Sequence, residues 1–131
     1  MKLSITPEEA RNIHSILGNK NSLTILWLIR QFGSQRKVDI QGFLGLTFQA
    51  MNFHIASLEK IGFVTRKSVH KRGRHQGNSQ KAIDLNMEML PFYMTTLMLL
   101  GESSEMKALG AHYQEYIKEL ESDDDVVVGL S

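Results

Sequence analysis

The run "DIQGFLGLTFQAMNFHIASLEKIGFV", residues 39–64, constrains the fold more than any other part of this chain. Asp39 caps a short segment, "IQGFLGL", whose two glycines each weaken it as a free helix by about 1 kcal/mol. That segment is expected to be short and held by packing. Thr47 follows at once as a second cap. From Phe48 to Ile61, Met51, Ile55 and Leu58 stand at i, i+4 and i+7, one inward stripe of a helix. Gly62 with Phe63 and Val64 behind it stops that helix. Two helices with almost no linker between them make a helix-turn-helix. The second one displays Gln49, Asn52, Phe53 and His54, where a merely structural helix carries Glu and Lys.

The flanks extend the pattern. Thr6-Pro7-Glu8-Glu9 opens a helix, with Thr6 as cap, Pro7 at the first position and Glu9 completing a capping box. Ile13, Ile16 and Leu17 are its apolar stripe, and Gly18 ends it. Asn21 or Ser22 caps "LTILWLIRQF", apolar around most of its circumference and hence the central core helix, closed by Gly33. Arg36 to Val38 is a connector or a brief strand. After the helix-turn-helix come two extended runs, "GFVTRKSVH" and "KAIDLN", joined by the basic tip "KRGRHQGNSQ": a β-hairpin with a long loop.

The C-terminal third changes character. "MEMLPFYMTTLMLL" is apolar nearly all round, and a second subunit is the expected cover for it. Met106, Leu109, Tyr113, Tyr116 and Leu120 then repeat in steps of 3 and 4, an a/d seam. The alternative is an amphipathic helix packed on its own domain. The expected dimer interface comprises Leu90, Tyr93, Met94, Leu97 and those five seam residues. The fold expected overall is mainly α with a small β-hairpin wing, a winged helix-turn-helix with C-terminal helices forming a dimer interface. Its expected divisions are a winged helix-turn-helix core over 1–86, dimerisation helices over 87–122 and a flexible acidic tail over 123–131.

Charge points to the partner. Residues 36–81 hold nine Lys/Arg and two acids, a balance of +7, and the remainder carries −6, giving the net +1 of the whole. One basic block in a near-neutral chain suits a locally anionic partner such as nucleic acid. A solvated basic hairpin is the plainer account of the same residues. The chain has no cysteine, which excludes disulfides, thiolate metal sites and a cysteine nucleophile and fits a cytoplasmic location. No apolar run approaches the roughly 20 residues of a membrane span. The start "MKLSITPEEA" turns acidic too soon for a signal peptide.

"TFQAMNFHIASLEKIGFV" resembles the recognition-helix signature of ArsR-like (arsenic-repressor-like) winged-helix regulators. Met51, Asn52, His54, Ile55, Leu58, Gly62, Phe63 and Val64 stand at matching positions. "SLEKIGFVTR" is also similar to the Leu-Glu-Lys-x-Gly-Leu-Val-x-Arg run of MarR-like (multiple-antibiotic-resistance-regulator-like) proteins. The likeness spans about Ser22 to Asn86. It implies a winged-helix transcription regulator that binds DNA.

Physical chemistry assigns roles within that frame. A major groove admits one α-helix, whose outward side chains meet base edges. Asn and Gln pair bidentately with adenine, so Gln49 and Asn52 are the candidates for base readout. Either one alone is equally well read as a solvent-facing residue. Phe48 and Phe53 suit a thymine methyl, with Phe48 alternatively packed inside. Thr47 caps the helix beside the DNA. His54 and Ser57 lie at the flank, within reach of phosphates, and His54 alternatively packs as a hydrogen-bonded residue. Lys71, Arg72, Arg74 and His75 at the wing tip are expected on phosphates or in the minor groove. Lys60, Arg66, Lys67 and Lys81 add phosphate contacts.

Sensing and catalysis find less in the sequence. The metal-sensing ArsR-like pattern of Asp-x-His and His-x-x-Glu is matched by His112 and Glu115, but Gly101 and Leu99 occupy its first half. Two ligands do not close a zinc site. Met87, Met89, Met94 and Met98 read as packing rather than a copper site. No metal, no cofactor and no enzyme activity are expected. The function expected is sequence-specific binding of double-stranded DNA at an inverted-repeat operator by a homodimeric repressor, with any small-molecule or protein effector unidentified. The alternative is a winged-helix adaptor that binds protein.

Overall fold

The computed structural model describes residues 6–70, 79–86, 93 and 101–130. Helix α1 spans Pro7–Leu17 and is held by the expected capping box: Thr6 Oγ1 accepts from the Glu9 N–H at 3.1 Å, and Glu9 Oε1 accepts from the Thr6 N–H at 3.1 Å. Helix α2 spans Lys20–Phe32. Its cap is Asn19 rather than Asn21 or Ser22. Asn19 Oδ1 accepts from the N–H groups of Asn21 and Ser22 at 2.9 and 3.3 Å, so the helix starts earlier and the Ser22 side chain is released for another bond. As expected of the central helix, Ile25, Leu26, Trp27, Leu28 and Ile29 are all buried.

Strand β1, Gln35–Arg36, leads directly into α3, Lys37–Leu44. Asp39 does not cap α3. It sits in the first turn, where the helix dipole favours a carboxylate, and its Oδ2 accepts from Arg36 Nε at 3.1 Å. Gly45, at φ 67°, closes α3 with the N–H of Leu46 on Gln41 O at 3.0 Å. Three residues, 45–47, then separate α3 from α4, Phe48–Lys60. Thr47 Oγ1 accepts from the Ala50 N–H at 3.0 Å. At the far end Gly62, φ 80°, repeats the closure, with Phe63 N–H on Leu58 O at 3.0 Å. A side chain at this φ is strained, which makes glycine the residue that turns the chain here.

Strands β2, Val64–His70, and β3, Ser79–Leu85, form the antiparallel hairpin. The sheet has a third strand, in the order β1-β3-β2, because Gln35 and Arg36 pair with Ile83 and Ala82. Ala82 and Ile83 are buried in its central strand. The brief strand thus falls at 35–36, and Val38 belongs to α3. The molecule is a mainly helical winged helix with a small antiparallel sheet.

Helix α5 spans Ser104–Leu130. It runs through 123–130, where a loose tail was expected: no Gly or Pro interrupts 111–128, and extending an existing helix adds one hydrogen bond per residue fixed. Part of its seam packs on the core of its own chain. Met106 and Tyr113 are buried in the same core as Ile25, Ile29, Met51 and Ile55, with Leu109 packed against it. Tyr113 meets Phe32 and Phe43 at centroid distances of 5.4 and 5.0 Å, and Tyr116 stacks on Phe43 at 5.6 Å. Leu120 is half-buried. For Met106 and Tyr113 the expected dimer contact is therefore corrected to intramolecular packing, while Leu109, Tyr116 and Leu120 remain partly exposed. A 3–4 repeat defines a stripe on one helix and does not say which chain covers it. Two glycines let α5 come close. A Cβ at Gly110 would lie 3.0 Å from Trp27 Cη2, and one at Gly42 would strike the Tyr116 hydroxyl. Tyr93 rests on Phe63 at 5.4 Å. Leu90, Met94 and Leu97 lie outside the described residues, as do the methionines 87, 89 and 98.

Candidate nucleic-acid interface

Helix α4 has two faces with different work. Met51, Ile55 and Leu58 are fully buried and anchor it on α2 and the sheet. Burying such side chains stabilises by about 1.5–3 kcal/mol each, so the anchor fixes which side chains point outward. Those are Phe48, Gln49, Phe53, Ala56 and Lys60, all exposed, with Asn52 and Ser57 partly so. Phe48 is 62% and Phe53 66% exposed, against complete burial of the anchor residues. Phe48 therefore does not pack inside.

His54 belongs to the anchored side. It is buried, and its Nδ1 is hydrogen-bonded to Ser22 Oγ across 3.0 Å, tying α4 to α2. Burial pushes its pKa below the ordinary histidine value, because a desolvated imidazole resists protonation. The expectation of a phosphate contact is corrected to the packing role. The position is three residues after Met51 and one before Ile55, which brings it round to the buried stripe.

Lys37 was counted in the basic block but not singled out for the site. It is buried at the start of α3, against α4. Its Nζ donates to Asn52 Oδ1 and sits 4.8 Å from the centre of the Phe48 ring. No local sequence pattern links positions 15 apart. The contact exists because the three-residue turn lays α4 across the first turn of α3. It also engages the Asn52 oxygen, one of the two groups that bidentate adenine pairing uses.

The basic flank is partly neutralised from within. Arg66 Nε donates to Glu59 Oε1 at 2.9 Å, and Lys67 Nζ lies 3.6 Å from Asp84 Oδ2. Both pairs are half-exposed, where such contacts are worth at most about 1 kcal/mol and exchange readily for another anion. Lys60 is exposed at the end of α4. Lys81 stands in β3 opposite Ser68. The wing-tip residues Lys71, Arg72, Arg74 and His75 lie in 71–78, outside the described residues. Among the described residues no cluster of His, Asp or Glu is arranged to hold a metal ion, and no helix is long and apolar enough to cross a membrane.

The assembled surface is an anchored helix with an amide and aromatic outer face, beside a hairpin whose first strand carries Arg66 and Lys67. An isolated helix of this size fits a DNA major groove, and basic groups beside it meet the phosphates. No curated protein matches the chain. Residues 19–75, less than half of the chain, match the family model described as MarR family. That stretch holds α2, α3, α4 and β2 and favours the MarR-like resemblance over the ArsR-like one. Fold and match together support a DNA-binding, winged-helix transcription regulator similar to the MarR family.

Proposed function

We propose that this protein is a homodimeric repressor that binds an inverted-repeat operator in double-stranded DNA. The observation that carries the reading is helix α4, locked on one side by Met51, Ile55 and Leu58 and open on the other. A rigid helix with an exposed, largely uncharged outer face inside a +7 segment suits base readout between phosphate contacts. Gln49, Asn52 and Phe53 read bases. Thr47 and Ser57 border the backbone, and Lys60, Arg66, Lys67, Lys71, Arg72, Arg74 and His75 neutralise phosphates. The second subunit packs on Leu90, Met94 and Leu97, and two-fold symmetry sets the half-sites about one helical turn apart or a multiple of it. The protein acts in the cytoplasm. Any effector, small molecule or protein, is unidentified; the surface carries a groove of about 250 Å³ lined by Phe32, Gln35, Tyr113, Gln114, Ile117 and Lys118. That groove touches both α5 and the sheet.

A protein-binding adaptor is the second reading, favoured by the exposure of Phe48 and Phe53. One experiment separates the two. The protein is incubated with a random-duplex DNA pool at two salt concentrations, and the retained DNA is sequenced. An enriched palindrome with a steep loss of affinity in salt is the expected result, since each neutralised phosphate adds about 0.9 to the log–log slope. Absence of retention at low salt would refute DNA binding and leave the adaptor.

A further inference from the structure

Resting on the DNA-binding reading above, we propose that the outer face of α4 selects thymine, with Lys37 acting as the residue that orients Asn52 for it. Lysine is a donor only. Its buried Nζ therefore holds the oxygen of the Asn52 amide, and the amide nitrogen, on the other arm of the same carbon, is turned away from Lys37. Asn52 then offers the groove hydrogen-bond donors. This is the opposite of an amide left to pair bidentately through both ends.

The neighbours of Asn52 are aromatic. Phe48 lies one turn before it on the same face, and its ring is kept in place by the Lys37 ammonium. Phe53 is the next residue, 66% exposed, with its ring against the His54 imidazole at 5.6 Å. His54 is itself bound to Ser22, so both rings rest on fixed partners. Gln49, one turn before Phe53, completes two parallel rows, Phe48–Asn52 and Gln49–Phe53. Each row sets one amide beside one phenyl ring.

Thymine presents a carbonyl acceptor, O4, next to a 5-methyl group in the major groove. A donor flanked by an apolar ring complements that edge. Cytosine fails on both counts, because it presents an amino donor and no methyl. Guanine supplies acceptors without a methyl group. The +7 segment around α4 favours duplex DNA as the occupant of this face, because it matches the dense phosphate charge on either side of a major groove.

The test uses the full chain and two random-duplex pools, one made with thymidine and one with deoxyuridine, which lacks only the 5-methyl group. We expect thymine to be enriched at one or more positions of each half-site in the first pool. In the second pool, affinity for the same site falls about fourfold per contacted methyl, the worth of one buried methyl-sized group. Phe53→Gln, a surface change, abolishes the thymidine–deoxyuridine difference at its base. Lys37→Met keeps the aliphatic stem and relaxes selection at the base read by Asn52. Equal retention of the two pools by the wild-type protein would overturn the proposal while leaving DNA binding intact. Retention of neither pool would instead refute the DNA-binding reading itself and point to a protein partner.

Discussion

Replacing Tyr113 separates a core residue from a dimer contact. The side chain is 1% exposed, its ring meets Phe32 and Phe43, and its hydroxyl donates to Gln35 Oε1 at 2.7 Å. Gln35 cannot turn to another partner cheaply, because its Nε2 already donates to Phe32 O and Ser34 O. Tyr113→Phe keeps the ring contacts and removes one hydrogen bond, a loss of about 1 kcal/mol. Tyr113→Ala removes the ring as well and leaves a cavity beside Phe43, a loss of about 3–5 kcal/mol. Out of a typical stability of about 5–15 kcal/mol, the first variant stays folded and the second is marginal. Urea unfolding followed by circular dichroism measures both, and sedimentation of the Phe variant measures self-association. The expected result is a lower midpoint with unchanged m-value and an unchanged dissociation constant between subunits. If Tyr113→Phe kept its unfolding midpoint and weakened self-association tenfold, Tyr113 would lie between subunits and the packing described above would be wrong.

Three further outcomes are expected. Burial holds the His54 pKa below its ordinary 6.5, so the unfolded chain binds more protons as pH falls below that value. Stability should therefore drop from pH 6.5 toward the folded-state pKa, by no more than about 1.4 kcal/mol per pH unit, and stay level above it. His54→Asn, which keeps a partner for Ser22, should flatten that limb, and an unchanged slope in unfolding titrations at several pH values would count against the burial argument. Glu59→Gln releases Arg66 from its 2.9 Å ion pair, so DNA affinity at low salt should rise and the salt slope should steepen by about one phosphate contact. A neutral effect in fluorescence anisotropy would mean that Arg66 stays away from the DNA. Arg72→Ala should weaken binding to all sequences alike and lower the salt slope by about one; a change in sequence preference instead would place Arg72 on a base.

Much of this protein was legible in one dimension. The capping box at Thr6, the cap at Thr47, the buried stripe of Met51, Ile55 and Leu58, and the stop at Gly62 are local features. Helix and turn chemistry acts over three to five residues, so the sequence displays it directly. The hairpin also followed from alternation and turn residues. The charge block from 36 to 81 needed only counting.

What the sequence left open was every question of which surface meets which. A stripe at 106, 109, 113 and 116 states that a helix has an apolar side. Only the folded chain decides that Trp27, Phe32 and Phe43 cover it. Gly42 read as a helix weakness and Gly110 drew no notice, yet in the fold they are the gaps that admit Tyr116 and Trp27. His54 was suited to a phosphate until the packing of α4 on α2 buried it against Ser22. Lys37 and Asn52 are 15 residues apart, and nothing in their spacing foretells that one orients the other. Local hydrogen bonding and periodicity determined the elements, the turn and the charge of the block. Contacts between elements, whose partners are distant in the chain, decided which side chains are left exposed on the outer face of α4.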